Sequence, residues 1–501
     1  MSNGPSPSAD PPARSGGAFW NRERELSALR EIHDRSGGQL VAVYGRRRIG
    51  KTALLLRWIE VEAKGRAAYF VAHRTTSSAL LVKFSRVLQP LLGTSDPAFT
   101  FSSWEAALDE LARLAQRERL VMVIDELPYL LECEPSFATM LQAAWDRTLR
   151  RSKVRLLLAG SHYNMMQDTI ASPRGPLYGR ATADLFLDEV GLREMGLFLP
   201  GYSAEQLVET YSVIGGVPRY LEAWSDRRSV ISNIQNVLLS PVSLFRNEPL
   251  FLIQDEISDP RTYLAILEAI GSGMRRPIDI AKGAGVNLAH VGKYLRTLDL
   301  LRFVRRTVSV EAPSARETRG THFEIRDPFL RFHFTFVLPN LRLLEQGRTD
   351  RLLAIIREGF DAYVGKTGYE EICRRHVAAL SDAGELPFDA IDVGRMWDRS
   401  AELDVVALDR RSKAALVGEC RWRSRRMGVE DLDHLAARAA SLSKLEGYKL
   451  HFALFSRAGF TSALEARAKK ERVRLVEGIP PGVSEAPRSA KKRPGRGSRA
   501  R

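Results

Sequence analysis

The stretch GRRRIGKT, Gly45–Thr52, lies between an apolar run, LVAVY, and a stretch of helical character, ALLLRWIE. Few arrangements constrain a fold as much. A glycine-rich loop between a buried strand and a helix turns successive backbone N–H groups toward a common point. The helix N-terminus adds its partial positive charge there. Such a loop holds phosphate. Gly45 and Gly50 permit the turn, and Arg46, Arg47, Arg48 and Ile49 supply backbone N–H groups between them. Lys51 would neutralise the β- and γ-phosphates, and the Thr52 hydroxyl would bind Mg²⁺.

A second segment supports this reading. VMVIDELPYL, Val121–Leu130, is an apolar strand ending in Asp125 and Glu126. Carboxylates at the carboxyl end of a strand in the same sheet sit beside the phosphate loop. Asp125 would hold the magnesium ion, and Glu126 would orient or deprotonate the attacking water. The next strand, VRLLLAG, leads into Ser161, whose hydroxyl is a candidate sensor of the γ-phosphate. PLYGR supplies Arg180, a candidate phosphate contact in the same chain or in a neighbouring subunit. The predicted ligands are therefore ATP or ADP with Mg²⁺.

Short apolar strands alternate with amphipathic helices from Phe19 to about Glu256, which predicts a mostly parallel sheet covered on both faces. From about Ala204 to Gln254 the pattern is wholly helical, a lid on that domain. Residues 258–326 predict three helices and a two-stranded ribbon, the winged-helix pattern. On Asn287–Leu301, Val291, Leu295 and Leu298 form one apolar face, and His290, Lys293 and Arg296 form another. That basic face, with Arg305, Arg306, Arg316 and Arg319 on the ribbon, is suited to a DNA groove. Residues 327–480 predict a second α/β domain. The predicted limits are thus an arm at 1–17, a nucleotide domain with helical lid at 18–257, the winged helix at 258–326, the second α/β domain at 327–480 and a basic tail at 481–501.

Composition sets the outer bounds. At 501 residues, with 44% hydrophobic and 27% charged residues, the chain is neither a disordered polymer nor a small stapled scaffold. Its formal charge is +15, and the seven Lys/Arg of 488–501 account for almost half of it. Such a balance is compatible with double-stranded DNA as a partner. Cys133, Cys373 and Cys420 form no metal-ligand spacing, which predicts a reducing, cytoplasmic setting. The first 17 residues hold no apolar stretch, and no run of about 18 apolar residues occurs, so neither a signal peptide nor a membrane span is expected.

FWNREREL at 19–26, the GRRRIGKT loop, VIDELPYL, LAGS, PLYGR and GGVPRYLE at 215–222 occur in this order. Together they resemble the archaeal-type ATPase family, a branch of the AAA+/STAND nucleotide switches also found in bacteria. The resemblance covers about residues 19–256. It implies that Arg22 and Glu23 lie by the adenine and that Pro218, in GGVP, packs on the base. In the carboxy-terminal domain, Glu370 in GYEEICRRH, Asp404 in ELDVVAL and Glu419 in GECRW are similar to the restriction-endonuclease-like PD-(D/E)xK core. That resemblance implies a second Mg²⁺ site on the three acids. Arg421 stands where the pattern has lysine, and arginine does not readily give up its proton. The expected function is an ATPase that couples nucleotide state to a winged helix and a nuclease-like module on DNA. The alternative is a nucleotide-gated regulator or scaffold, acting through a homo-oligomer or a partner protein, with little turnover and no nuclease activity.

Overall fold

The structure is a computed structural model that describes residues 22–481 except 62–65, 95, 313–319 and 399. The expected arm at 1–17 and the tail from 482 onward lie outside the described residues. Two compact units form. The first contains the described residues up to 41, then 51–159 and 181–185, and the second contains 42–50, 160–180 and the described residues from 186 onward.

Five strands make the first sheet: β1 (Gln39–Tyr44), β2 (Arg66–Val71), β3 (Leu120–Asp125), β4 (Val154–Gly160) and β5 (Ala183–Phe186). Their order is β2-β3-β4-β1-β5, and β2/β3 and β3/β4 are parallel. Every residue of β1, β3 and β4 is buried, whereas the edge strands β2 and β5 are partly exposed. This is why the central strands read as unbroken apolar runs. One polar side chain interrupts them. Arg155 of β4 is buried and donates to the carbonyl oxygens of His33 (2.8 and 3.0 Å) and Gly37 (2.7 Å). It thereby pegs the end of the helix Glu23–Asp34 to the sheet.

In the second unit the segment after β5 is helical but broken. Helices run over Ala204–Ile214, Pro218–Ala223 and Glu248–Glu256. The break at Gly215–Gly216 has a steric cause. Gly215 takes φ +65°, and a Cβ on Gly216 would stand 1.9 Å from the Val190 carbonyl oxygen. Three helices follow, Arg261–Gly271, Pro277–Gly283 and Leu288–Leu300, and then an antiparallel ribbon of β6 (Val304–Thr307) and β7 (His322–Ile325). The helix-helix-helix-ribbon order is the expected one, with a shorter first ribbon strand.

The last sheet contains β8 (Asp392–Trp397), β9 (Glu402–Asp409), β10 (Ala414–Arg421), β11 (Lys449–Ser456) and β12 (Arg474–Glu477) in the order β12-β11-β10-β9-β8. Strands β8 to β10 run antiparallel, and β10 to β12 run parallel. Alternate residues serve opposite faces. Val405 and Ala407 pack in the cluster that holds Ile372 and Val377 of the helix Glu370–Asp382. Val406 and Leu408 pack with Leu432, Leu435 and Leu464 of the helices Val429–Ser441 and Ser462–Glu471. No described helix is long and apolar enough to cross a membrane.

Candidate functional site

In the first unit, the helix Lys51–Val61 begins on Lys51, which is 6% exposed. The Thr52 side chain is open to solvent, yet its Oγ1 donates to Asp125 Oδ2 at 2.8 Å. Asp125 ends β3 and is 1% exposed. The same Oδ2 accepts the Tyr69 hydroxyl, and Oδ1 accepts the Glu126 N–H at 2.9 Å. Burial, together with the adjoining Asp125 carboxylate, raises the Tyr69 phenol above its ordinary pKa. Glu126 takes φ +54° at the start of the helix Leu127–Cys133, a conformation that is costly for a residue with a side chain. A hydroxyl and a carboxylate held in contact at the mouth of the sheet are the hard oxygen donors Mg²⁺ requires, so the residues fit the ion that accompanies ATP. Arg22 is buried at φ +102° and donates to Glu25 Oε1 at 2.8 Å, and Glu23 is exposed.

The second unit contains the first part of the loop. Gly45 has no room for a side chain, since a Cβ would lie 2.4 Å from the Leu187 carbonyl oxygen. Gly50 has room but takes φ +92°, so conformation requires the glycine there. Ile49 is fully buried and anchors the turn. The side chains of the three arginines have partners that the sequence did not indicate. Their side chains are engaged by acids of the helical region. Arg46 pairs with Asp327, lies 3.4 Å from Glu189 Oε1 and donates to the Tyr220 hydroxyl at 3.1 Å. Arg47 meets Asp255 at 2.7 Å, and Arg48 meets Glu248 at 2.8 Å. Glu248 also accepts the Tyr220 hydroxyl at 2.9 Å. Burial opposes the charge on Arg46, but Asp327, Tyr220 and Glu189 outweigh it and hold its pKa above the ordinary value. Burial pushes the Glu189 carboxyl up, with Asp327 adding to the effect. What positions 46–48 can offer a phosphate is therefore their backbone N–H groups.

Ser161 is buried and lines a cleft with Arg46, Arg47 and Asp255. Arg180 donates to the carbonyl oxygens of Pro176 and Tyr178, each at 3.2 Å, within its own turn. Pro218 opens the helix Pro218–Ala223. Sequence reasoning missed Tyr69, Glu189, Tyr220, Glu248, Asp255 and Asp327. Of these, Tyr220 lies within the GGVPRYLE stretch and Asp327 in an Asp-Pro pair, a helix-start signal.

In the carboxy-terminal sheet, Glu370 begins a helix, Asp404 lies on β9 and Glu419 on the neighbouring β10, as expected. The predicted metal site does not form from them. No group of three metal-ligating side chains occurs among the described residues. Arginines neutralise the outer two acids instead. Glu370 accepts from Arg395 at 2.8 Å and from Arg374 at 3.3 Å, and Glu419 pairs with Arg421 and Arg438. Asp404 accepts the Cys420 N–H at 3.3 Å. Burial pushes the Asp404 and Glu370 carboxyls up, with Glu419 adding to the first and Asp404 to the second.

Residues 19–224 match the family described as an ATPase domain predominantly from Archaea, and residues 333–433 match a family of archaeal and bacterial proteins of unknown function. Over residues 19–224 the chain is similar to archaeal-type P-loop ATPase domains. An uncharacterized protein of Methanocaldococcus jannaschii is 29% identical over 442 residues, 87% of this chain and 95% of the relative. An uncharacterized ATP-binding protein of the same organism is 38% identical over 52 residues, 10% of this chain and 88% of its own length. Among solved structures, the Walker-type ATPase of Pyrococcus abyssi aligns with a TM-score of 0.48 at 17% identity, covering 63% of this chain and 96% of its own.

Beyond the ATPase domain, the helix Leu288–Leu300 buries Val291, Leu295 and Leu298 and exposes His290, Lys293 and Arg296. The ribbon is less basic in effect than its sequence. Arg305 faces inward to Glu324 (3.1 Å) and Glu371 (3.3 Å), which removes it from any groove contact. Arg306 reaches the Thr321 hydroxyl at 3.4 Å. Arg316 and Arg319 lie outside the described residues.

Proposed function

We propose that the chain binds MgATP on the Gly45–Thr52 loop, hydrolyses it, and conveys the nucleotide state to a winged helix that docks on duplex DNA. The observation that carries this reading is the Thr52 hydroxyl on the buried Asp125 carboxylate, 2.8 Å apart. Bound Mg²⁺ would supply charge neutralisation at the β- and γ-phosphates. Lys51 adds a positive charge at the same oxygens, and the loop N–H groups fix their position. Glu126 accepts a proton from the attacking water, and ADP and phosphate are the products. The exposed face of His290, Lys293 and Arg296 supports the DNA assignment. The arginine-saturated acids Glu370 and Glu419 support a carboxy-terminal domain that binds or braces without cutting.

A second reading, a nucleotide-gated regulator with little turnover, is favoured by the pairing of Arg46, Arg47 and Arg48 with distant acids. ATP turnover measured with and without duplex DNA separates the two. Stimulation by DNA that is lost in Lys293→Glu plus Arg296→Glu, with basal turnover kept and with Lys51→Ala inactive throughout, is the expected result. Slow turnover indifferent to DNA overturns it in favour of the regulator. The duplex should stay intact with Mg²⁺ or Mn²⁺, and cleavage that disappears in Asp404→Asn would refute the non-cutting assignment.

A further inference from the structure

Away from the nucleotide loop, the second unit contains a cleft of about 370 Å³ that opens to solvent. Small-molecule sites typically span about 300–1,000 Å³, so the size is that of a ligand site. Its walls include the rings of Phe323, Phe336 and Tyr363. Four cations also line it, Arg275, Arg331, Lys366 and Arg395, against one acid, Glu324.

These cations are not equivalent. Arg275 is answered by Glu402 at 3.0 Å and Glu324 at 4.0 Å. Arg395 is answered through its two terminal nitrogens by Glu324 and Glu370, but its buried Nε has no acceptor. Arg331 has no ion pair among the described residues. Its nearest acceptor is the Thr367 carbonyl oxygen at 3.5 Å, and its buried Nε has none. Lys366 is exposed and has no ion pair among the described residues. A donor left unsatisfied in a buried setting is costly, and a charged donor more so. Arg331 thus brings to the cleft a guanidinium with no ion pair among the described residues, beside the Lys366 ammonium and three aromatic residues.

We infer that this cleft is a binding site for a small organic anion, a phosphorylated or carboxylated molecule with an aromatic part. The anionic group pairs with the guanidinium of Arg331, which has no carboxylate partner among the described residues, and with the ammonium of Lys366. Its ring lies against Phe323, Phe336 and Tyr363. The site is independent of the nucleotide loop and of the DNA assignment.

Isothermal titration of the full chain with phenyl phosphate tests this. The Lys51→Ala background removes anion binding at the nucleotide loop. Saturable binding is expected, tighter for phenyl phosphate than for inorganic phosphate. Arg331→Gln should weaken it by about tenfold or more, the loss expected for one charged hydrogen bond. Lys366→Gln, at an exposed position, should weaken it several-fold with an unchanged melting temperature. If Arg331→Gln fails to fold, Lys366→Gln alone decides. Absence of saturable heat in the background chain, or affinity unchanged in the folded variants, overturns the site.

Discussion

Replacing Thr52 with valine keeps a branched side chain of similar shape and removes one hydroxyl. That hydroxyl donates to Asp125 at 2.8 Å, and the same carboxylate oxygen also accepts from Tyr69. A hydrogen bond to a charged group contributes about 1.5–3 kcal/mol, and the remaining Tyr69 donor softens its loss to about 1–2 kcal/mol in the nucleotide-free protein. The larger effect lies in the Mg²⁺-dependent response. At about 100 times its dissociation constant, MgATP should stabilise the wild-type protein by about 2.7 kcal/mol. For a domain of this size that corresponds to a rise in melting temperature of about 5–10 °C. Thr52→Val should lose the Mg²⁺-dependent part, so that its shift with MgATP matches the wild-type shift with ATP and EDTA. Differential scanning fluorimetry of both proteins under the two conditions gives the comparison. A variant that keeps the full MgATP shift would show that the Thr52–Asp125 contact is structural only, and the metal assignment would be wrong.

Glu126→Gln should bind ATP with wild-type affinity while turnover falls about 10²-fold or more, as for a lost general base; unchanged turnover in a phosphate-release assay assigns the water to another residue. Gly216→Ala must displace the Val190 backbone, because its Cβ would stand 1.9 Å from that carbonyl oxygen. A loss of at least about 1–3 kcal/mol is expected, and an unchanged melting temperature would contradict the described backbone. Two groups set opposite pH trends. Burial pushes Glu324 up, but Arg395, Arg305 and Arg275 outweigh it and hold the carboxyl well below the usual range. Its stabilisation is therefore complete above the unfolded value of about 4.3 and declines as pH falls further. Glu370 is pushed up to about 6 by burial and Asp404, so its destabilising charge is relieved as pH falls through 6. Thermal melts should lose the low-pH decline in part in Glu324→Gln and the gain near pH 6 in Glu370→Gln; melts with unaltered profiles would refute both assignments.

The nucleotide loop was legible because its information is contiguous. Strand, glycines, lysine and helix follow one another, and VIDEL marks the opposing carboxylate in the same way. The destinations of Arg46, Arg47 and Arg48 were not legible. Arg46 meets a carboxylate 281 residues away, and nothing in the local pattern at either position requires the other. The helical stretch after Ala204 showed its apolar period but not its interruption, which depends on the close approach of Val190 to Gly216. In the carboxy-terminal domain, alternation correctly placed Asp404 and Glu419 on adjacent strands. It gave no sign of Arg395 on β8 or of Arg438 on the helix Val429–Ser441. Those arginines turn a metal-site pattern into a set of ion pairs. Arg305 failed for the related reason that its acidic partner Glu371 comes from a helix 66 residues later.

The three loop arginines also change what the formal charge of +15 means. Each adds one to the sum, yet each is closed on a carboxylate within hydrogen-bonding distance. From outside, such a pair is a dipole, and its field falls away faster than that of a lone cation. Arg46, Arg47 and Arg48 therefore attract little from a distance and hold few ions for an arriving phosphate to displace. Raising the ionic strength should weaken nucleotide affinity less steeply than the number of basic letters in the loop suggests.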